Sequence, residues 1–143
     1  MLTAPGKGVP NIVYGVNQHE LDIEKDNVFC AASCTTNAIV PPLKVLDDAF
    51  GVERGHIETI HAYTNDQNLL DNFHKKPRRG RSAPINMVLT STGAAKAVGI
   101  VLPHLGKNLT GNAVRVPVPD GSLAILNLSL KKATNAELSL IHI

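Results

Sequence analysis

Five consecutive residues, Ser33-Cys34-Thr35-Thr36-Asn37, put a thiol where an apolar, strand-like run stops and helix-compatible sequence starts. A cysteine in the first turn of a helix faces backbone N–H groups that have no partner inside the helix. That setting favours the thiolate, the nucleophilic form. The competing assignment is packing, since free cysteine is among the most buried residue types. Ser33, Thr35 and Thr36 are small and hydroxyl-bearing, which suits an anion or substrate cradle better than a core. A nucleophilic thiol needs a base, and His61 stands 27 residues further on, at the end of the β-rich run 57–63. Histidine is also a common structural residue, so His61 alone decides nothing.

Two further segments carry groups suited to anions. Ser91-Thr92-Gly93-Ala94-Ala95-Lys96 offers a hydroxyl and backbone N–H groups where a helix begins, and such a terminus binds phosphate. Arg115 is a single charge in the apolar run Ala113-Val114-Arg115-Val116-Pro117, so it needs an anionic partner, either a carboxylate of this chain or a ligand. The basic run Lys75-Lys76-Pro77-Arg78-Arg79-Gly80-Arg81 could serve nucleic acid, yet no aromatic residue is interleaved to stack on bases. A solvated or subunit-facing loop fits it better.

Positioning these groups requires a short run of elements. Asn11 to Val16 and Val28 to Ser33 read as strands, joined through the polar stretch 17–26. A helix is predicted from about Thr36 to Phe50, with Ile39, Leu43 and Leu46 on one face and Gly51 as its stop. Pro41 and Pro42 fall inside it, which predicts a displaced start or a kink. The run 57–63 is a strand, and residues 65–87 form a long loop of the kind that carries function. A second helix, capped by Ser91 or Thr92, runs from Gly93 to Leu102 and ends at Pro103. Ala113 to Val118 is a strand, and the alternation at Ala124, Leu126, Leu128 and Leu130 predicts another with that face buried.

At 143 residues the chain is long enough for one domain with a real core. It has no apolar stretch approaching the roughly 18 residues of a membrane span, and its start is unlike a signal peptide. A net charge of +2 does not by itself call for nucleic acid. The two cysteines, Cys30 and Cys34, do not make a disulfide framework. A soluble protein of the cytoplasm is the expectation.

Taken together, these segments closely resemble the phosphorylating glyceraldehyde-3-phosphate dehydrogenases. The matching runs are Ala32-Ser33-Cys34-Thr35-Thr36-Asn37, Ile60-His61-Ala62-Tyr63-Thr64, residues 91–99, and Leu109-Thr110-Gly111 through Arg115-Val116-Pro117, in family order and spacing. The resemblance extends from Leu2 to about Glu137. It implies an α+β catalytic domain with a mixed, largely antiparallel sheet and helices on one face, preceded by the last strands of a Rossmann-type domain. It makes Cys34 the nucleophile that attacks the aldehyde of D-glyceraldehyde 3-phosphate, and His61 the residue that activates the thiol and steadies the oxyanion. Oxidation by NAD, with NADP undecided, would leave a thioester that inorganic phosphate cleaves to 1,3-bisphosphoglycerate. Ser33, Thr35, Thr92 and Gly93 would hold the attacking phosphate, Thr64 and Arg115 the substrate phosphate, and Arg79 would lie near both. Thr3 matches a cofactor contact, no metal is implied, and a homotetramer is the expected assembly. The basic run falls in a family loop that lines a neighbouring subunit's cofactor pocket.

The chain also departs from the family pattern. No G-x-G-x-x-G occurs, so residues 1–33 are expected to be the tail of a dinucleotide-binding domain, 34–137 an incomplete catalytic domain, and 138–143 a non-native tail. Both ends look cut, and the isolated chain is expected to turn over little. Ala38 stands where many members have a second cysteine, and Gly121 where a valine is usual. An erythrose-4-phosphate dehydrogenase is the nearest rival enzyme, disfavoured by Thr92-Gly93. A non-catalytic fragment serving binding or subunit contact is the alternative of a different class.

Overall fold

The structure, a computed structural model, describes residues 1–137; the expected tail 138–143 lies outside them. Helix α1 (Cys34–Phe50) leads into strand β1 (Val52–Ala62), followed by a long loop with one 3₁₀ turn at Pro77–Gly80. Then come β2 (Val88–Thr90), α2 (Ala94–Val101), a 3₁₀ turn at Pro103–Leu105, β3 (Leu109–Val116) and β4 (Ser122–Leu130). The four strands form one sheet in the order β2-β3-β1-β4, and β2 runs antiparallel to β3 with Val88 opposite Arg115 and Thr90 opposite Ala113. The α+β class expected from the resemblance is therefore the class observed.

The chain divides into two compact units. Among the described residues the first comprises 1–55, 94–109 and 128–137, and the second 56–93 and 110–127. In the first, α1 packs on α2 and α2 on the turn Pro103–Leu105. Its core is Ile39, Val40 and Leu43 of α1, Val52, Val98, Val101 and Leu105, with Val13 and Cys30 from the N-terminal segments. Gly99 and Gly106 allow the α2 contact: a Cβ on Gly99 would stand 2.6 Å from the Gly106 Cα. In the second unit Ile57, Thr59, Ala62, Ala83, Val88, Thr90 and Ala113 are buried. Its long loop doubles back on itself through Asn68 N to Arg79 O, Asn72 N to Gly80 O and Ala83 N to Asn68 O. Gly80 is required there, because a Cβ would meet the Asn72 carbonyl oxygen at 2.3 Å.

Several expectations are corrected. Residues 11–16 and 28–33 do not make strands; they meet as isolated parallel bridges, Cys30 with Leu2 and with Asn11. The first run is cut short because Asn17 Oδ1 accepts the Val13 N–H and the chain turns through Gly15 at φ 82°. The prolines do not displace the start of α1, which begins at Cys34 and continues through Pro41 and Pro42. Proline there removes the bonds to the Asn37 and Ala38 carbonyls. Both residues are exposed, so water reaches that side, while Ile39, Val40 and Leu43 hold the opposite side in the core. The expected buried face of β4 is absent: no residue of that strand is buried, since β4 is a sheet edge and Ala124, Leu126, Leu128 and Leu130 are exposed or half-buried. Alternation reports a strand, but burial requires an element that covers it. The strand read at 57–63 starts earlier, at Val52, and that read at 113–118 spans Leu109–Val116.

Candidate active site

Cys34 is the first residue of α1, and the cap that starts the helix sits directly before it. Ser33 has extended backbone, φ −103° and ψ 163°, and its Oγ accepts the Thr36 N–H at 3.0 Å. The same Oγ lies 2.7 Å from Thr36 Oγ1, which is buried with its residue. Asn37 Nδ2 donates to the carbonyls of Ala31 at 2.7 Å and Ser33 at 2.9 Å, tying the incoming chain to the first turn. Ala32 holds φ 55°, among the described residues the one non-glycine in the left-handed region, a conformation that needs surrounding structure to persist. The thiol itself is exposed, with Sγ 3.9 Å from Thr35 Oγ1. Cys30 differs in every respect: it is fully buried, its Sγ accepts the Gly6 N–H at 3.2 Å and its S–H donates to Asn11 Oδ1 at 3.1 Å. Of the two thiols, only Cys34 is placed to meet a substrate.

The second unit gathers a histidine and two arginines. Residues 57, 59 and 61 share one face of β1, and Ile57 and Thr59 on it are buried. Arg115 lies on the same face of β3 as buried Ala113, across from Val88. His61 and Arg115 meet: Arg115 Nη1 is 2.8 Å from His61 Nδ1 and donates to the Ala62 carbonyl at 3.0 Å, while His61 Nδ1 is 2.7 Å from that same carbonyl. Thr64 follows in an exposed turn closed by Gln67 N to Thr64 O.

Arg79 is 8% exposed, unusual for arginine, and its contacts explain this. It forms an ion pair with Asp66, its Nε donates to Thr90 Oγ1 at 3.1 Å, and its Nη2 to the Ser91 carbonyl at 3.4 Å. That last contact brings the guanidinium to the residue preceding Thr92 and Gly93. Gly93 is exposed, and a Cβ built on it would meet nothing within 4 Å. Nearby, the Ser82 N–H and the Arg81 side chain hold the Asp71 carboxyl below the usual carboxylate range, pinning the far side of the loop.

Ser33, Cys34 and Thr35 thus stand together at one helix start, and His61 with Arg115 on neighbouring strands. Arg79 is held beside the segment leading to Thr92. Two contributors were not singled out from the sequence. Asp66, which pairs with Arg79, lies in the polar loop where no pattern distinguishes it from the loop's other carboxylate, Asp71. Asn37, which fastens the turn behind Cys34, sits inside the motif and could have been read as more than part of it.

Among the described residues there is no glycine-rich cradle of the usual dinucleotide kind. Such a site needs a glycine-rich turn opening a helix whose N–H groups face the pyrophosphate. Gly6 and Gly8 are followed by a bridge at Asn11, a turn at residues 14–17 and a single 3₁₀ turn at Gln18–Glu20, not by an α-helix opening on the glycines. Thr3, the one cofactor contact expected from the sequence, is exposed in a bend.

Comparison with known proteins defines first the class: residues 33–139 match the model of a dehydrogenase catalytic portion, "Glyceraldehyde 3-phosphate dehydrogenase, C-terminal domain". The chain belongs to the glyceraldehyde 3-phosphate dehydrogenase family. A glyceraldehyde-3-phosphate dehydrogenase-like protein of Pseudomonas aeruginosa is 61% identical over 138 residues, 96% of this chain and 30% of its own length. Glyceraldehyde-3-phosphate dehydrogenase 2 of Bacillus subtilis is 51% identical over 138 residues, 96% of this chain and 41% of its own length. The enzyme of Borreliella burgdorferi is 50% identical over 133 residues, 92% of this chain and 39% of its own length. The chain therefore spans well under half the length of these relatives. Among the described residues no helix is long and apolar enough to cross a membrane.

Proposed function

We propose that this chain supplies the thiol centre of a phosphorylating glyceraldehyde-3-phosphate dehydrogenase, a cytoplasmic homotetramer that uses NAD or NADP. The observation that carries this reading is the exposed Cys34 thiol on the first residue of a helix capped by Ser33. The Cys34 sulfur attacks the aldehyde carbon of D-glyceraldehyde 3-phosphate; an S–C bond forms, the carbonyl π pair moves to oxygen, and His61 manages the thiol proton and the developing oxyanion. The product is a thiohemiacetal on Cys34. Thr64 and Arg115 grip the phosphate already on the substrate. Ser33, Thr35, Thr92 and Gly93 take inorganic phosphate, the eventual acyl acceptor, with Arg79 adjoining them. Hydroxyl and N–H donors suit a phosphate that must leave again, whereas arginine suits a firm bidentate hold.

On this reading the chain contributes aldehyde capture and anion binding, and the described residues hold no glycine-rich dinucleotide cradle, so the chain by itself is expected to form little NADH. The test uses the complete protein carrying this sequence, with glyceraldehyde 3-phosphate, NAD and phosphate. Cys34→Ser should lower kcat at least about a thousand-fold, in line with removal of other catalytic nucleophiles. Turnover within tenfold of the parent would remove Cys34 from the nucleophile role.

A further inference from the structure

The contact between Arg115 and His61 has a logical constraint built into it. Guanidinium nitrogens carry only donors, so the 2.8 Å approach of Arg115 Nη1 to His61 Nδ1 is a hydrogen bond only when Nδ1 bears no proton. The Ala62 carbonyl is an acceptor, so the 2.7 Å approach of the same Nδ1 to it is a hydrogen bond only when Nδ1 does bear a proton. One nitrogen cannot do both. Arg115 also donates to the Ala62 carbonyl, at 3.0 Å, and so competes for the acceptor that the second arrangement needs. The triangle of Nη1, Nδ1 and carbonyl oxygen therefore has two arrangements, and where Arg115 stands decides between them.

The consequence reaches the other end of the ring. With Arg115 donating to Nδ1, the neutral imidazole keeps its proton on Nε2, which can donate a hydrogen bond but cannot take a proton. With Arg115 withdrawn, Nδ1–H donates to the Ala62 carbonyl and Nε2 becomes the acceptor, the form a general base requires. An anion competes well for Arg115, because a phosphate offers a charged, bidentate partner in place of one neutral imidazole nitrogen and one carbonyl.

We infer that Arg115 is a positioning residue that couples anion binding to the tautomer of His61: a phosphomonoester draws the guanidinium off Nδ1 and converts the ring from the Nε2–H to the Nδ1–H form. This rests on the assignment of Arg115 to the substrate phosphate and of His61 as the base. It adds that the base is switched on by the substrate it serves. Proton and charge balance without any outside reagent, since the ring exchanges one N–H proton for another through solvent and Arg115 stays protonated throughout.

Nitrogen-15 labelling of the histidines and arginines in the 143-residue chain, with long-range proton–nitrogen correlation spectra, reads the tautomer and the guanidinium directly; His61→Gln assigns the imidazole signal and Arg115→Ala the guanidinium signal. Without ligand, His61 should show the Nε2–H pattern. Saturating glycerol 3-phosphate, a phosphomonoester with no aldehyde, should convert it to Nδ1–H, with a shift of the Arg115 guanidinium signal at the same midpoint. In Arg115→Ala the ring should be Nδ1–H from the start and insensitive to the ligand. If the Arg115 signal shifts while the His61 tautomer does not, the coupling is overturned and the phosphate assignment stands. If glycerol 3-phosphate leaves the Arg115 signal unmoved, the phosphate assignment fails and takes the coupling with it. An Arg115→Ala ring that remains Nε2–H overturns the role of Arg115 whatever the ligand does.

Discussion

Replacing Gly99 with alanine tests the packing of the unit that carries Cys34, because two general rules give opposite signs for it. Gly99 lies inside α2, where alanine is favoured over glycine by about 1 kcal/mol from backbone entropy and helix propensity. The structure argues otherwise. A Cβ on Gly99 would stand 2.6 Å from the Gly106 Cα, and one on Gly106 would stand 2.8 Å from the Gly99 Cα, so backbone faces backbone with no flexible side chain to yield. Restoring an ordinary contact means opening the approach by about 0.8 Å, the gap between the 2.6 Å found and the 3.4 Å at which normal contacts begin. A separation of that size forfeits a quarter to a half of each dispersion contact across it. Val98, Val101 and Leu105 are all buried at this contact and share the loss. Overpacking of this kind costs about 3 kcal/mol at the upper end of its usual range. Less the propensity gain, the variant should be destabilised by about 2 kcal/mol. Urea unfolding of both proteins, followed by circular dichroism with the slope m held common, measures it. Stabilisation by half a kcal/mol or more would show that propensity wins and that the α2 contact is looser than described.

Two other perturbations bear on the site and its support. Asp47 accepts the Val52 N–H at 2.7 Å and a bond from His104 Nε2 at 2.6 Å. Burial pushes its carboxyl up, yet those bonds, with the charges of His104 and Lys131, outweigh burial and hold it below its ordinary value of 3.8. A depressed carboxylate stabilises the fold above the unfolded value and loses that contribution as pH falls through the folded one. Asp47→Ala should therefore cost about 1–2 kcal/mol at neutral pH, and the difference from the parent should shrink below pH 3.8 in unfolding curves taken across the acid range. Gly93→Ala meets nothing within 4 Å and requires no unusual φ, so stability should change by no more than about 0.5 kcal/mol. In the phosphate site proposed above the added methyl would stand in the anion's path to the backbone, so KM for inorganic phosphate in the complete enzyme should rise roughly tenfold, from loss of about one charge-assisted hydrogen bond; an unchanged KM would take Gly93 out of the proposed site.

How much of this was legible in the sequence follows from the range of the interactions involved. A helix in this stretch was legible from Ile39, Leu43 and Leu46 on one face, while its start, expected at about Thr36, falls at Cys34 because Ser33 caps the Thr36 N–H. That Pro41 and Pro42 leave the helix start in place was not legible, because what holds the helix is the burial of Ile39, Val40 and Leu43 against residues distant in sequence. Position 61 was readable as a strand end, but its meeting with Arg115 depends on strand order and parity, which no local pattern encodes. The bond between Arg79 and Asp66 closes a loop whose turns obey no period. β4 announced itself by alternation while its burial did not follow, because alternation reports backbone geometry and burial reports what covers it. Cys34 was separable from Cys30 by its hydroxyl-bearing neighbours and its place at a helix start, whereas the bonds that tie Cys30 to Gly6 and Asn11 were not, because they join residues far apart in the chain.

The central claim is that Cys34 captures a phosphorylated aldehyde, and carbon-13 NMR of the chain mixed with glyceraldehyde 3-phosphate labelled at the aldehyde carbon tests it without any cofactor. A thiohemiacetal carbon signal should appear in the parent, persist in Cys30→Ser, and vanish in Cys34→Ser. A signal that survives Cys34→Ser, or one that never forms in the folded parent at saturating aldehyde, would contradict the assignment of Cys34 as the nucleophile.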